Sequence, residues 1–385
     1  MRYTHQHDRR ITDQWHELSL EISYALMADP PNELALLTLI LGQPPPPSFR
    51  EPLLEAIRFL LLGYGSDRRK SGPLAVLHPM RTAAILGRSL PSLQILDLLG
   101  AFLHDRVEDI SPDRIPKARW AELQQKLERL LGMINHDEQW FLGERIAILS
   151  RKPDQPYFDY LVDIIRNART MPDLIRIKLA DKLDSTYDIQ VPPSRFERLD
   201  FYEVIFDLLF LPTYSGLTAH DDYFLVGERE AMLLLSSMAK NAVFLSLLRQ
   251  TGRDCHDSTI KLLFDALAFA SIRQARWVLL ELFATSLDSV EDQREMLRDV
   301  LAYCEDGAIS AITSRERGHP LDGTFLERLV VAGDEERRQR LAEVFADRTL
   351  FAKVVTAMII IFSCFRDDPR FRIEGIDMRG IHAAR

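Results

Sequence analysis

Cysteine is scarce in this chain. Its 385 residues include three, Cys255, Cys304 and Cys364, far apart and without CxxC spacing, which excludes a disulfide framework and a zinc knuckle. They read as buried thiols of a cytoplasmic protein. Basic charge is not in surplus either: 48 Lys and Arg against 57 Asp and Glu leave a net charge of −9. A general binder of nucleic-acid polymers or anionic membranes is built on the opposite balance, so neither partner is expected. The most apolar strip, VVTAMIIIFSCF at 354–365, is twelve residues long, where a bilayer span needs about 20. It is expected as a buried core helix. The polar N-terminus, MRYTHQHDRRITDQ, lacks the apolar core of a secretory signal.

Strand-like alternation is also rare. Apolar residues recur at helical spacing instead, as in Leu53, Ile57, Leu60 and Leu61, or Leu93, Leu96, Leu99 and Leu103, so the expected fold is all-α. A first helical segment is predicted over roughly 12–42, ending at GQPPPP, where consecutive prolines have no amide hydrogens to donate and favour an extended linker. A second boundary is predicted near LPTYSGLTAHDD, 211–222, followed by helices near 226–250, 257–286, 289–305, 324–346 and 348–365. No repeat of fixed period is visible. The tail RDDPRFRIEGIDMRGIHAAR reads as irregular or frayed. These boundaries give an N-terminal helical segment with its Pro-rich linker over 1–47, a central domain over 48–215 and a helical C-terminal domain over 216–385.

The chemistry lies in the central stretch. AFLHDRVEDI places His104 beside Asp105 after an apolar run, with Glu108 and Asp109 following. Charged residues at a helix end usually mean solvation, so a metal site needs partners elsewhere. His78 in PLAVLHPMRTAAIL, just before a proline suited to a helix's first turn, is one candidate. Asp181 in IRIKLADKLDSTYDI is another, because an unpaired carboxylate in so apolar a helix is costly.

Together these stretches form an H...HD...D pattern that resembles the HD-domain superfamily of metal-dependent phosphohydrolases, and more finely the hydrolase domain of the Rel/Spo family, which handles the alarmones (p)ppGpp. RRKSGPLAVLHP resembles that family's RKSGEPYxxHP, AFLHDRVEDI its LLHDxxEDT, LSRKPDQPYFDYL its connecting helices and IKLADKLDS its IKLADRLHN, over about 52–212. The resemblance implies an HD-type helical bundle followed by a second helical region. It also implies that His78, His104, Asp105 and Asp181 ligate one divalent metal, most often manganese, with Fe²⁺ suited to the same donors. Glu108 and Asp109 match the pair that orients or deprotonates the attacking water. Arg69 matches the arginine that stacks on guanine, with Lys70 and Ser71 as its neighbours, and Ser185 stands where the family has an asparagine at the nucleotide.

Departures cluster on the nucleotide side. Tyr187 and Asp188 replace an arginine and a threonine, Ala75 stands near a missing tyrosine, and Asp188 would repel a polyphosphate unless turned away. Residues 220–385 do not resemble the family's synthetase domain. The expectation is a nucleotide (pyro)phosphohydrolase removing the 3'-pyrophosphate of (p)ppGpp or a related alarmone. The alternatives are an HD-type phosphatase of another nucleotide such as NADPH and a non-catalytic nucleotide sensor or scaffold. The C-terminal helices are a candidate surface for a protein partner or self-association.

Overall fold

The computed structural model describes residues 4–28, 30–69, 73–152, 154–188, 228–254, 257–285, 289–325 and 334–384. Among the described residues the fold is all-α apart from one small hairpin. The chain divides into two compact units, one of Met1–Asp188 with Cys255–Ala266, the other of Ile189–Asp254 with Leu267–Arg385. The boundary expected at 211–222 lies outside the described residues.

Unit 1 begins with α1 (Thr4–Leu26) and α2 (Glu33–Leu41). The single helix predicted over 12–42 is therefore broken. Pro30 and Pro31 cannot donate amide hydrogens to a continuing helix, and Asn32 restarts the chain by accepting the Ala35 amide at 3.0 Å as an N-cap. Gly42 closes α2 in the left-handed conformation. The prolines after it are a short connector: Pro46 precedes α3 (Pro47–Tyr64) with extended angles, and Pro47 opens that helix. Both α1 and α2 pack against α4 (Leu77–Ser89).

The centre of unit 1 is α4 together with α5 (Ile95–Leu103) and α10 (Asp173–Asp188). Around them lie the single turn α6 (Arg106–Asp109), α7 (Lys117–Gly132), α8 (His136–Leu149) and α9 (Tyr157–Asn167). Small residues let the central helices approach. A Cβ on Gly100 of α5 would meet Cδ1 of Ile177 on α10 at 2.6 Å. His104 follows Gly100 by one turn and Asp181 follows Ile177 by one turn, so this contact sets the spacing of two candidate ligands. Gly100→Ala is expected to cost about 1–2 kcal/mol through overpacking. In an Ile177→Val background, which lacks Cδ1, the same change should be neutral or stabilising, because Ala favours helix over Gly by roughly 0.5–1 kcal/mol. Equal losses in both backgrounds, by denaturant titration, would disprove the contact's role.

Unit 2 holds α11 (Glu228–Gln250), the part of α12 (Ser258–Thr285) beyond Ala266, α13 (Val290–Glu305), α14 (Asp334–Ala346) and α15 (Arg348–Asp367). The apolar strip at 354–365 lies in α15, where Val355, Met358, Ile361, Phe362 and Phe365 are buried, as a core helix should be. The length argument against a span does not hold, since α15 and Glu230–Gln250 are each long and apolar enough to cross a membrane; 61% and 72% of their apolar stretches are nevertheless buried inside the protein.

The tail is not frayed. It forms an antiparallel hairpin, β1 (Ile376–Asp377) with β2 (Gly380–Ile381), anchored by buried Ile373 and Ile376 and by the Ile373 amide donating to Ser246 Oγ at 3.0 Å. Gly375 makes this possible. Its φ is +78°, and a Cβ there would meet backbone oxygen of His382 at 2.2 Å.

Candidate metal centre

Two histidines and two aspartates meet at the junction of α4, α5 and α10. His78 lies in the first turn of α4, His104 caps the C-terminus of α5, and Asp181 is on α10. Asp105 occupies the turn between α5 and α6. The helix α5 does not run on through the HD pair: Asp105 has φ −94° and ψ 4°, a sparsely populated conformation in which active-site residues recur. The chain turns sharply, so Glu108 and Asp109 sit on a separate turn, their amides bonded to the Asp105 carbonyl at 3.1 and 2.9 Å.

The donor atoms converge. His78 Nε2 is 3.2 Å from His104 Nε2 and 3.1 Å from Asp105 Oδ2, and His104 Nε2 is 3.3 Å from the same oxygen. Asp181 Oδ1 lies 3.3 Å and 3.8 Å from the two imidazole nitrogens. An octahedral ion with bonds of about 2.1 Å has donors roughly 3 Å apart along each edge. The triangle of His78, His104 and Asp105 has that size, with Asp181 beside it.

Hydrogen bonding fixes which nitrogens point inward. His104 Nδ1 is 2.8 Å from the carbonyl of Ala101, which can only accept, so Nδ1 carries the proton in the neutral ring. His78 Nδ1 is 2.7 Å from Asp184 Oδ2, and the same reasoning protonates that nitrogen. Both neutral rings then direct an Nε2 lone pair at one point, together with two carboxylates. Four electron-pair donors cannot share this space without protons or a cation among them. Imidazole with carboxylate is a donor set suited to Mn²⁺ or Fe²⁺, so these residues fit the expected metal.

The electrostatics follow from that crowding. Burial opposes a charged imidazole at His78, as does Arg69, yet Asp105, Asp181 and Asp184 outweigh both and raise its pKa to about 9. At His104 burial is likewise outweighed by Asp105 and Asp181, giving a value of about 10. Burial would raise the Asp105 and Asp181 carboxyls, but His104 for the first, and Lys178 with both histidines for the second, hold them well below the usual range. In the metal-free chain the protonated histidines therefore stabilise the fold fully below about pH 6.5, and that contribution is lost as pH rises through about 9 and about 10. Chelator-treated protein should show a falling thermal midpoint between about pH 7 and pH 10, and His104→Gln should flatten the fall. A native midpoint constant across that window would contradict the assignment.

Supporting groups surround the cluster. Lys178 Nζ donates to Asp181 Oδ2 at 2.6 Å and stands over the Tyr160 ring at 4.9 Å. Ser185, expected at the nucleotide, faces the candidate ligand Asp181, its Oγ 3.4 Å from Oδ1. Asp188, expected to trouble a polyphosphate, is turned into the protein, where its Oδ1 accepts from Arg81 Nη2 at 2.6 Å. Arg69 ion-pairs with Asp188 at 3.5 Å and Asp184 at 3.9 Å; its neighbours Lys70 and Ser71 lie outside the described residues. Glu108 Oε1 accepts the Arg151 amide at 2.6 Å, and Asp109 Oδ2 accepts from the Tyr64 hydroxyl at 2.9 Å. Both residues expose much of their surface. Desolvation of the carboxyls, reinforced by the Asp105 charge, still raises both pKa values.

Sequence reasoning did not single out Asp184, Arg81, Lys178, Tyr64 or Trp15. Part of the signal was present: Lys178, Asp181, Asp184 and Asp188 follow one another at three- and four-residue steps, a charged stripe on one face of an otherwise apolar helix. No protein-family profile matches the chain, and no curated protein aligns significantly with it.

Proposed function

We propose that unit 1 is a divalent-metal-dependent phosphohydrolase of a nucleotide, in its most specific form removing the 3'-pyrophosphate of (p)ppGpp or an adenine counterpart. The observation that carries this reading is the convergence of two Nε2 lone pairs, each fixed in its tautomer, with the carboxylates of Asp105 and Asp181. His78, His104, Asp105 and Asp181 would hold Mn²⁺ or Fe²⁺. Such an ion supplies an acidified water and a polarised phosphoryl group. Glu108 and Asp109, one turn beyond the ligands and raised in pKa, would orient the attacking water and accept its proton on a carboxylate oxygen. Arg69 offers a planar guanidinium to a base or phosphate.

One observation favours a second substrate. Arg69 is shared by Asp184 and Asp188, which offsets its charge and supports a phosphatase acting on another nucleotide, NADPH among them. The half-buried, unpaired thiols of Cys304 and Cys364 fit a cytoplasmic setting, and the unit 2 helices are proposed as the surface for a protein partner or self-association.

The test is phosphate and pyrophosphate release with Mn²⁺ from ppGpp, pppGpp, ppApp, NADPH and ordinary nucleotides, with His104→Ala as the blank. Pyrophosphate from a 3'-diphosphorylated purine nucleotide is the expected product. Single phosphates would select the second substrate, and tight binding without turnover would replace the enzyme by a nucleotide sensor.

A further inference from the structure

The first helix carries no chemistry legible in the sequence, yet one of its side chains reaches the site. Trp15 of α1 is buried, and its indole Nε1 donates to Asp184 Oδ1 at 2.9 Å. Asp184 is fully buried. Its Oδ1 also accepts from Arg81 Nε at 2.7 Å, while Oδ2 accepts from Arg81 Nη2 at 3.2 Å and from His78 Nδ1 at 2.7 Å. Each oxygen thus has two donors, which fixes the carboxylate in position and orientation. The indole is itself held, with Arg81 Cζ 4.8 Å from its centroid and the Tyr187 ring at 5.2 Å.

A ligating histidine depends on the group behind it. An anionic acceptor at Nδ1 fixes the tautomer and ring plane and makes Nε2 a stronger donor. We infer that Asp184, clamped by Trp15 and Arg81, is the positioning residue for His78, which makes the N-terminal helix an integral part of the metal centre. This rests on the reading that the cluster holds a divalent metal. Asp184 acts only through His78. The clamp spans 169 positions between Trp15 and Asp184, so truncating α1 would loosen a ligand as well as expose a core.

The full chain is tested by Mn²⁺ titration, following free Mn²⁺ by its paramagnetic resonance, and by the visible spectrum of bound Co²⁺. Trp15→Phe keeps an aromatic side chain but removes the indole N–H together with the five-membered ring. It should weaken Mn²⁺ binding several-fold and shift the Co²⁺ bands. Asp184→Asn keeps an acceptor oxygen but removes the charge, and should weaken binding by about 10–100-fold. Thermal unfolding of the metal-free proteins is measured in parallel, since Asp184→Asn leaves Arg81 less well paired and can lose stability on that account. Mn²⁺ affinity within twofold of native and an unchanged Co²⁺ spectrum in a folded Trp15→Phe protein would overturn the inference, whatever its thermal midpoint. A native chain that binds neither ion would instead overturn the metal reading on which it rests.

Discussion

Protein carrying Asp105→Ala is expected to retain essentially no manganese or iron where the native chain is expected to retain about one ion, because an ion held by four donors from three segments is lost when one charged donor is removed. Asp105 is the right residue to test. Its Oδ2 lies 3.1 and 3.3 Å from the two imidazole nitrogens, so its loss opens one corner of the donor triangle and removes a negative charge. Asp105 makes no side-chain capping bond to α6, but its ion pairs with the two histidines contribute to the metal-free fold, so the chelated variant is expected to unfold at a lower temperature than the chelated native chain. Metal analysis by mass spectrometry, beside a thermal midpoint of the chelated protein, separates loss of the ion from loss of the fold. Full occupancy in the variant would remove Asp105 from the ligand set.

The acids of α6 should behave differently. Glu108→Gln or Asp109→Asn is expected to leave the metal bound while slowing turnover by a factor of roughly 10² or more, the usual scale for losing a general base. Each substitution keeps a carbonyl oxygen that can accept the existing bond, from the Arg151 amide to residue 108 or from the Tyr64 hydroxyl to residue 109. Geometry is thereby conserved and only proton affinity changes. Native rates in both variants would mean that the pair is a solvated helix end after all.

Much of this could be read from residue order, for reasons that are physical and local. Helical periodicity marks α3, α13 and α15 because each buries one broad face and leaves the other partly exposed. The donors His78, His104, Asp105 and Asp181 were legible as a pattern because each stands at a helix end or in an apolar helix, where its charge is conspicuous. The break after α1 was missed although Pro30 and Pro31 were visible, because the apolar pattern resumes in phase beyond them. The hairpin at 376–381 was missed because strands of two residues have no periodicity to read. Asp184 was missed for a different reason: its partners His78 and Trp15 lie 106 and 169 positions away, and nothing local distinguishes a carboxylate with four donors from a solvated one.

The bond from Lys178 to Asp181 has a bearing on coordination number. With Oδ2 engaged by the ammonium at 2.6 Å, Asp181 has only Oδ1 to offer and cannot chelate. If the cluster holds the proposed ion, four ligands that each give a single atom would leave room on a six-coordinate metal for two exchangeable oxygens. Under the proposed function, Lys178, buried and held in the charged form by Asp181 despite its desolvation, would keep those places open for water and substrate. Were it replaced by an uncharged methionine, the freed carboxylate could swing into two-point attachment, and the chain would grip its ion more tightly while losing room for the substrate.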